Sequence, residues 1–171
     1  MQVHEEKISR LTMEMMQYYE GDPRRIQHFL KVHSLSRLIG REENLDRETQ
    51  FILETAALVH DIGVKRAEEK YGQCSGKLQE QEGPGEAAKM LKRLGFGEAV
   101  VERVCYLVGH HHTYSGISGS DYRILVEADF LVNLYEEGTS SPTAVRSVYE
   151  KIFVTETGKK LFQIMYGGKM Q

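Results

Sequence analysis

The chain has 171 residues, 40% of them hydrophobic and 27% charged, a balance that suits one globular domain with a sizeable core and argues against disorder. A formal net charge of −3 and a sequence pI near 6.2 lack the basic excess of a general nucleic-acid binder, although a small anion can still be held locally. The opening MQVHEEKISRL carries neither a signal pattern nor a cleavage site, and no apolar run approaches the roughly 20 residues a membrane span requires. A cytoplasmic location without a membrane partner is the default expectation. Cys74 and Cys105 belong to no paired motif, so neither a disulfide framework nor a zinc ribbon is indicated and both read as inert thiols.

In chain order, Ile8, Leu11, Met15 and Tyr18 recur at helical spacing and stop before Gly21-Asp22-Pro23. Asp22 is an N-cap candidate and Pro23 suits the first position of a second helix, expected to last to about Gly40. A third helix is predicted from near Asp46 through Val59, with Gly63 as its stop signal. Between Val64 and Gly83 the periodicity fades into charged and small residues, which reads as a loop with at most a short helical turn. Helical patterns return over Pro84–Leu94, closed by Gly95, and over Glu98–His112. After TYSGISGS a further helix spans Asp121–Glu137, Ser141-Pro142 opens the next, and the last includes Leu161, Phe162 and Met165. With no alternating strand pattern, the expected fold class is all-α.

Several polar residues fall on apolar faces. Val32, Leu35 and Ile39 follow His28 at helical spacing, which points His28 inward, whereas His33 lies at the margin of that stripe near Arg37. Asp129 sits among Leu125, Val126 and Val132, and Asp is almost never fully buried unless paired. ETAALVHDIG, residues 54–63, ends in the doublet His60-Asp61 after the small residues Ala56-Ala57. Each feature alone has an ordinary explanation: a core histidine bonded to a carbonyl, a carboxylate holding a helix end, a hydrogen-bonded pair. Together, two imidazoles and two carboxylates from three helices make a mixed N/O metal site. A second cluster, His110, His111 and His112, closes a helix beside a Gly-rich loop. His110 and His111 follow Leu107 by three and four residues and are the better placed to aim inward. Glu82, entering the next helix, is a further candidate ligand.

The order His28, His60-Asp61, Asp129, set in HFLKV, AALVHDIG and EADFLVN, resembles the HD-domain superfamily of metal-dependent phosphohydrolases. The resemblance implies a bundle of about five core helices over residues 22–138, with accessory helices at about 3–20 and 141–166 in a single domain. It implies a divalent transition metal (Fe, Mn, Co, Ni or Zn), as one or two ions, at His28, His60, Asp61 and Asp129, with His110, His111 and Glu82 for a second ion and Asp61 bridging the two. Glu82 stands where relatives often carry a histidine, and relatives that read HDIGK have their lysine where this chain has Val64, with Lys65 one later. The implied activity is hydrolysis of a nucleotide or other small phosphoester by metal-activated water, with Arg24, Arg25, Lys31 or Lys65 drawing the phosphate and His112 or His33 donating a proton. Two other functions fit the same constellation: a dinuclear-iron oxygenase and a non-catalytic metal- or nucleotide-binding sensor. Neither the substrate nor the oligomeric state is legible.

Overall fold

Alternation of apolar stripes with capping residues resolves, in the computed structural model, into nine helices and no strand among the described residues, 2–138 and 141–170. They are α1 (Gln2–Tyr18), α2 (Pro23–Glu42), α3 (Arg47–Val59), α4 (Gly63–Tyr71), α5 (Gly76–Arg93), α6 (Glu98–Val108), α7 (Ser120–Glu136), α8 (Pro142–Ile152) and α9 (Glu156–Tyr166), followed by a 3₁₀ turn at Gly167–Met170. Asp22 caps α2 by accepting from the Arg25 amide, and Asp46 caps α3 by accepting from Glu48 and Thr49, each satisfying amides that a helix start leaves without a partner. Ser75, Ser141 and Thr155 do the same for α5, α8 and α9.

Two helices, α3 and α7, run through the centre. Every residue of α3 from Leu53 to Val59 is buried, as is most of α7. Helices α1, α2, α6 and α7 pack on α3. The C-terminal pair is attached by polar anchors as well as by apolar packing. The buried Glu127 carboxylate on α7 accepts from the Val154 and Thr155 amides and the Thr155 hydroxyl, and Glu43, the residue after α2, accepts from the Thr157 amide. No helix among the described residues is long and apolar enough to cross a membrane.

The segment expected as a loop, Val64–Gly83, is instead mostly helical. Helix α4 buries only Gly63, Val64 and Ala67, and α5 begins at Gly76, eight residues before Pro84. Their apolar faces are too narrow for a periodicity signal, because the two helices meet through glycine rather than through large side chains. A Cβ on Gly63 would lie 2.6 Å from the Gln79 carbonyl and 2.7 Å from the Gly83 amide, and one on Gly83 would lie 2.6 Å from Val108. Pro84 is thus inside a helix, where it removes one ladder hydrogen bond. Its own carbonyl accepts from Cys105 Sγ at 3.3 Å. Both cysteines are free.

Gly63→Ala is therefore expected to force α4 and α5 apart and destabilise the protein by about 1–3 kcal/mol. Gly85→Ala, which meets nothing within 4 Å, is expected to stabilise α5 by about 0.5–1 kcal/mol. Urea denaturation of the two variants beside the parent chain measures both.

Candidate metal centre

Helix α3 ends at Val59, just before the doublet; His60 keeps helical backbone angles, φ −55° and ψ −39°, but the α-helical hydrogen-bond ladder stops there. Adjacent positions within a helix point about 100° apart, but here the chain turns, with the Ile62 amide on the Val59 carbonyl and the Val64 amide on the Asp61 carbonyl. Two tyrosines at the end of α1 hold that turn: Tyr19 Oη donates to the Asp61 carbonyl at 2.7 Å and Tyr18 Oη to that of Ile62 at 3.2 Å. The N-terminal helix, read from sequence as an accessory, thereby fixes the backbone of the doublet.

Around this turn the structure gathers side chains from α2, α7 and the end of α6. His28 Nε2 lies 3.1 Å from His60 Nε2, 3.3 Å from Asp61 Oδ2 and 3.2 Å from Asp129 Oδ1. His60 Nε2 lies 3.5 Å from the same two carboxylate oxygens. On the other side His111 Nε2 approaches Asp61 Oδ1 at 3.3 Å. The opposite ring nitrogens are already committed. His60 Nδ1 donates to the Ala57 carbonyl at 2.9 Å, His111 Nδ1 to that of Val108 at 2.8 Å, and His28 Nδ1 to Glu136 Oε2 at 2.8 Å. In the neutral rings each Nε2 is therefore a bare lone pair, and the three point at carboxylate oxygens that also lack hydrogens. Asp129 Oδ1 is buried and makes no hydrogen bond. A buried acceptor left in this way calls for a cation.

The electrostatics agree. Burial lowers the pKa of His60, but the Asp61 and Asp129 carboxylates outweigh it and hold the imidazole up to about 9. Burial likewise opposes protonation of His28, and its carboxylate neighbours raise it. Asp61 and Asp129 lie well below the usual carboxylate range: burial pushes them up, and the surrounding histidines pull them down further. The charge distribution favours a cation here, and the mixed imidazole and carboxylate donors suit a first-row transition ion.

Two ligand groups emerge, each with donor atoms within 4.8 Å of one another: His28, His60 and Asp61, and then Asp61, His111 and His112. Asp61 belongs to both, one oxygen facing each, and its side chain is 27% exposed. His110, expected beside His111, instead stacks on Tyr106 and donates from Nδ1 to the Tyr106 carbonyl, outside either group. The reason is the end of α6 at Val108: the helical phase that favoured His110 does not extend past Gly109. His112 takes the place, 2.9 Å from Gln79 Oε1 and packed where a Cβ on Gly76 would touch its ring at 2.9 Å. Burial, followed by the neighbouring His111, lowers its pKa to about 4.

The remaining candidates are placed elsewhere. Glu82 accepts from Lys70 Nζ and Tyr71 Oη, outside both groups. His33 Nε2 faces Glu54 Oε2 at 3.3 Å. Lys65 donates to the Tyr18 carbonyl and lies over the Tyr18 ring. Arg25 is held by Asp22 and Glu68, while Arg24 has no ion pair among the described residues and, with Arg25, lines a cavity of about 410 Å³ that opens onto His28 and Asp61.

Glu136 escaped the sequence reading. It lies two turns after Asp129 on α7, with Asn133 between them on the same face, so the spacing Asp129, Asn133, Glu136 carried the signal. Its second oxygen takes Lys31 Nζ at 2.5 Å, which leaves Lys31 bound to protein.

A family model described as HD domain matches residues 25–150. A crystal structure of a predicted HD superfamily hydrolase from an uncultured Thermotogales bacterium is similar with a TM-score of 0.65 and 26% identity, covering 96% of this chain and 86% of that one. No curated protein matches.

Two outcomes follow. Glu136→Ala is expected to weaken affinity for a divalent transition ion by about 10–100-fold, as loss of a ligand-orienting carboxylate does, measured by competition with a chromogenic chelator. In metal-free protein His60 binds its proton more tightly folded, near pKa 9, than unfolded, near 6.5. Its stabilisation is thus fully present below about pH 6.5 and is lost as pH rises through 9. The Tm of metal-free protein is expected to fall over that window, and bound ion is expected to reduce the fall by taking the proton's place.

Proposed function

Because the chain belongs to the HD-domain family, we propose that it is a metal-dependent phosphohydrolase that hydrolyses a nucleotide or another small phosphoester. The observation that carries this reading is the convergence of His28, His60, Asp61 and Asp129, distant in sequence, to within hydrogen-bond distance around a buried carboxylate oxygen that has no hydrogen bond. The name of the similar Thermotogales protein, a predicted hydrolase, points the same way.

In this reading His28, His60, Asp61 and Asp129 hold one divalent ion, of Fe, Mn, Co, Ni or Zn. Asp61, His111 and His112 are the donors for a second. An ion so held supplies Lewis acidity, polarising a phosphoryl oxygen and lowering the pKa of water. The chain's own residues do the rest. Glu136 keeps the Nε2 lone pair of His28 turned inward by accepting from its Nδ1. Asp61 divides its two oxygens between the two groups, and its partial exposure places it at the mouth of the cavity where a substrate enters. Arg24, exposed and unpaired among the described residues at the cavity rim, attracts the phosphate. Arg25 and Lys31 are committed to carboxylates and contribute less. With its pKa near 4, His112 is neutral near pH 7 and serves better as a ligand than as a proton donor. His33 lies against Glu54, outside both donor groups.

The second histidine pair also fits a dinuclear oxygenase, and one experiment separates the readings. Purified with its native metal, the protein is expected to release phosphate from a panel of nucleotides and small phosphoesters without taking up oxygen. Asp61→Ala is expected to lower that rate on the order of 10³-fold, the scale seen when a preorganised charge-stabilising group is lost, with helical circular dichroism retained. Oxygen uptake with an organophosphonate or polyol would replace this proposal by the oxygenase. Metal and nucleotide binding without turnover would replace it by a sensor.

A further inference from the structure

The far end of α3 carries a second cavity, of about 390 Å³, between α1, α2 and α3. Arg47 begins α3 and His60 follows its last residue, so the two are about 20 Å apart at 1.5 Å per residue. Nothing in the metal centre accounts for what lines this cavity. Three arginines, Arg37, Arg41 and Arg47, face it in a chain whose net charge is −3. Glu5 and Glu54 also line it, but Glu54 is already engaged by Gln50 Nε2 at 2.7 Å and by His33 at 3.3 Å. Arg41 and Arg47 form no ion pair among the described residues, and Arg37 reaches only 3.8 Å from Glu54. Arg37 Nε is buried yet has no hydrogen-bond partner, although buried donors are normally satisfied. The floor is made by Ile8 and by the buried Phe51, on which the His4 ring stacks at 3.9 Å.

We propose that this cavity is a binding site for a small phosphorylated molecule of up to nucleoside-monophosphate size, separate from the metal centre. Guanidinium groups match phosphate oxygens through paired N–H donors, and here they come from two helices, α2 and α3, so one phosphate bridges them. The volume lies within the range of small-molecule sites, which begins at about 300 Å³. Ile8 and the His4 ring, stacked on Phe51, give the remainder of the ligand a surface to pack on.

Inorganic pyrophosphate, titrated calorimetrically into full-length protein from which metal has been removed and the chelator dialysed away, is the test. Saturable binding of one molecule is expected, weakening as salt is raised. The Asp61→Ala protein is expected to bind equally well, whereas Arg41→Gln combined with Arg47→Gln is expected to bind about tenfold more weakly or worse with an unchanged Tm. The single variant Arg47→Gln, expected to give an intermediate loss, keeps the test open should the double variant fold poorly. Absence of saturable binding, binding indifferent to the arginine substitutions, or binding that vanishes in Asp61→Ala would each overturn the assignment. None of these results bears on phosphohydrolase activity, so the two proposals stand or fall separately.

Discussion

Lone pairs brought together without hydrogens between them repel, and the centre of this protein is organised around that fact. Three imidazole nitrogens and the oxygens of two carboxylates face one another in a largely buried space, with every alternative hydrogen-bond partner already assigned to the opposite side of each ring. Only a positive charge makes the arrangement favourable. In metal-free protein that charge is a proton shared among His28, His60 and the carboxylates, which is why both histidines titrate high. A transition ion satisfies the same donors without that proton.

Holding such a cluster requires a scaffold that does not relax, and the packing provides one. The central helices α3 and α7 are buried almost throughout. The turn after α3 is clamped from above by Tyr18 and Tyr19 and from below by the contact of Gly63 with α5. The backbone carbonyls that fix the histidine tautomers, those of Ala57 and Val108, lie in the last turns of α3 and α6. There the carbonyls have no partner within the helix. Helix ends are thus used twice: they terminate the helices, and they orient the side chains that follow.

The cavity beside the cluster and the cavity at the other end of α3 differ in chemistry. The first mixes acids, amides and arginines around Asp61 and suits a polar substrate delivered to a cation. The second pairs exposed guanidinium groups with an aromatic floor and offers no metal donors as a group.

Much of this was legible from residues alone. Asp22-Pro23 and Ser141-Pro142 marked helix starts because capping is local chemistry, decided within four residues. His28 and Asp129 stood out because a polar side chain on an apolar stripe is a contradiction visible in sequence, and membership of the HD-domain family followed from their order with the doublet. Other features depended on tertiary contact. Helix α4 and the first half of α5 were missed because glycine-to-glycine packing leaves no apolar period to read. The exchange of His110 for His112 turned on where α6 ends, and Glu82 was drawn to Lys70 and Tyr71 by neighbours no spacing rule foresees. Sequence determined which side chains are out of place on their own helices, since that is a property of one element. Which of them meet, at what distance and in which tautomer, was decided only when separate helices packed, because each ring's orientation is set by a partner on the backbone or on another helix.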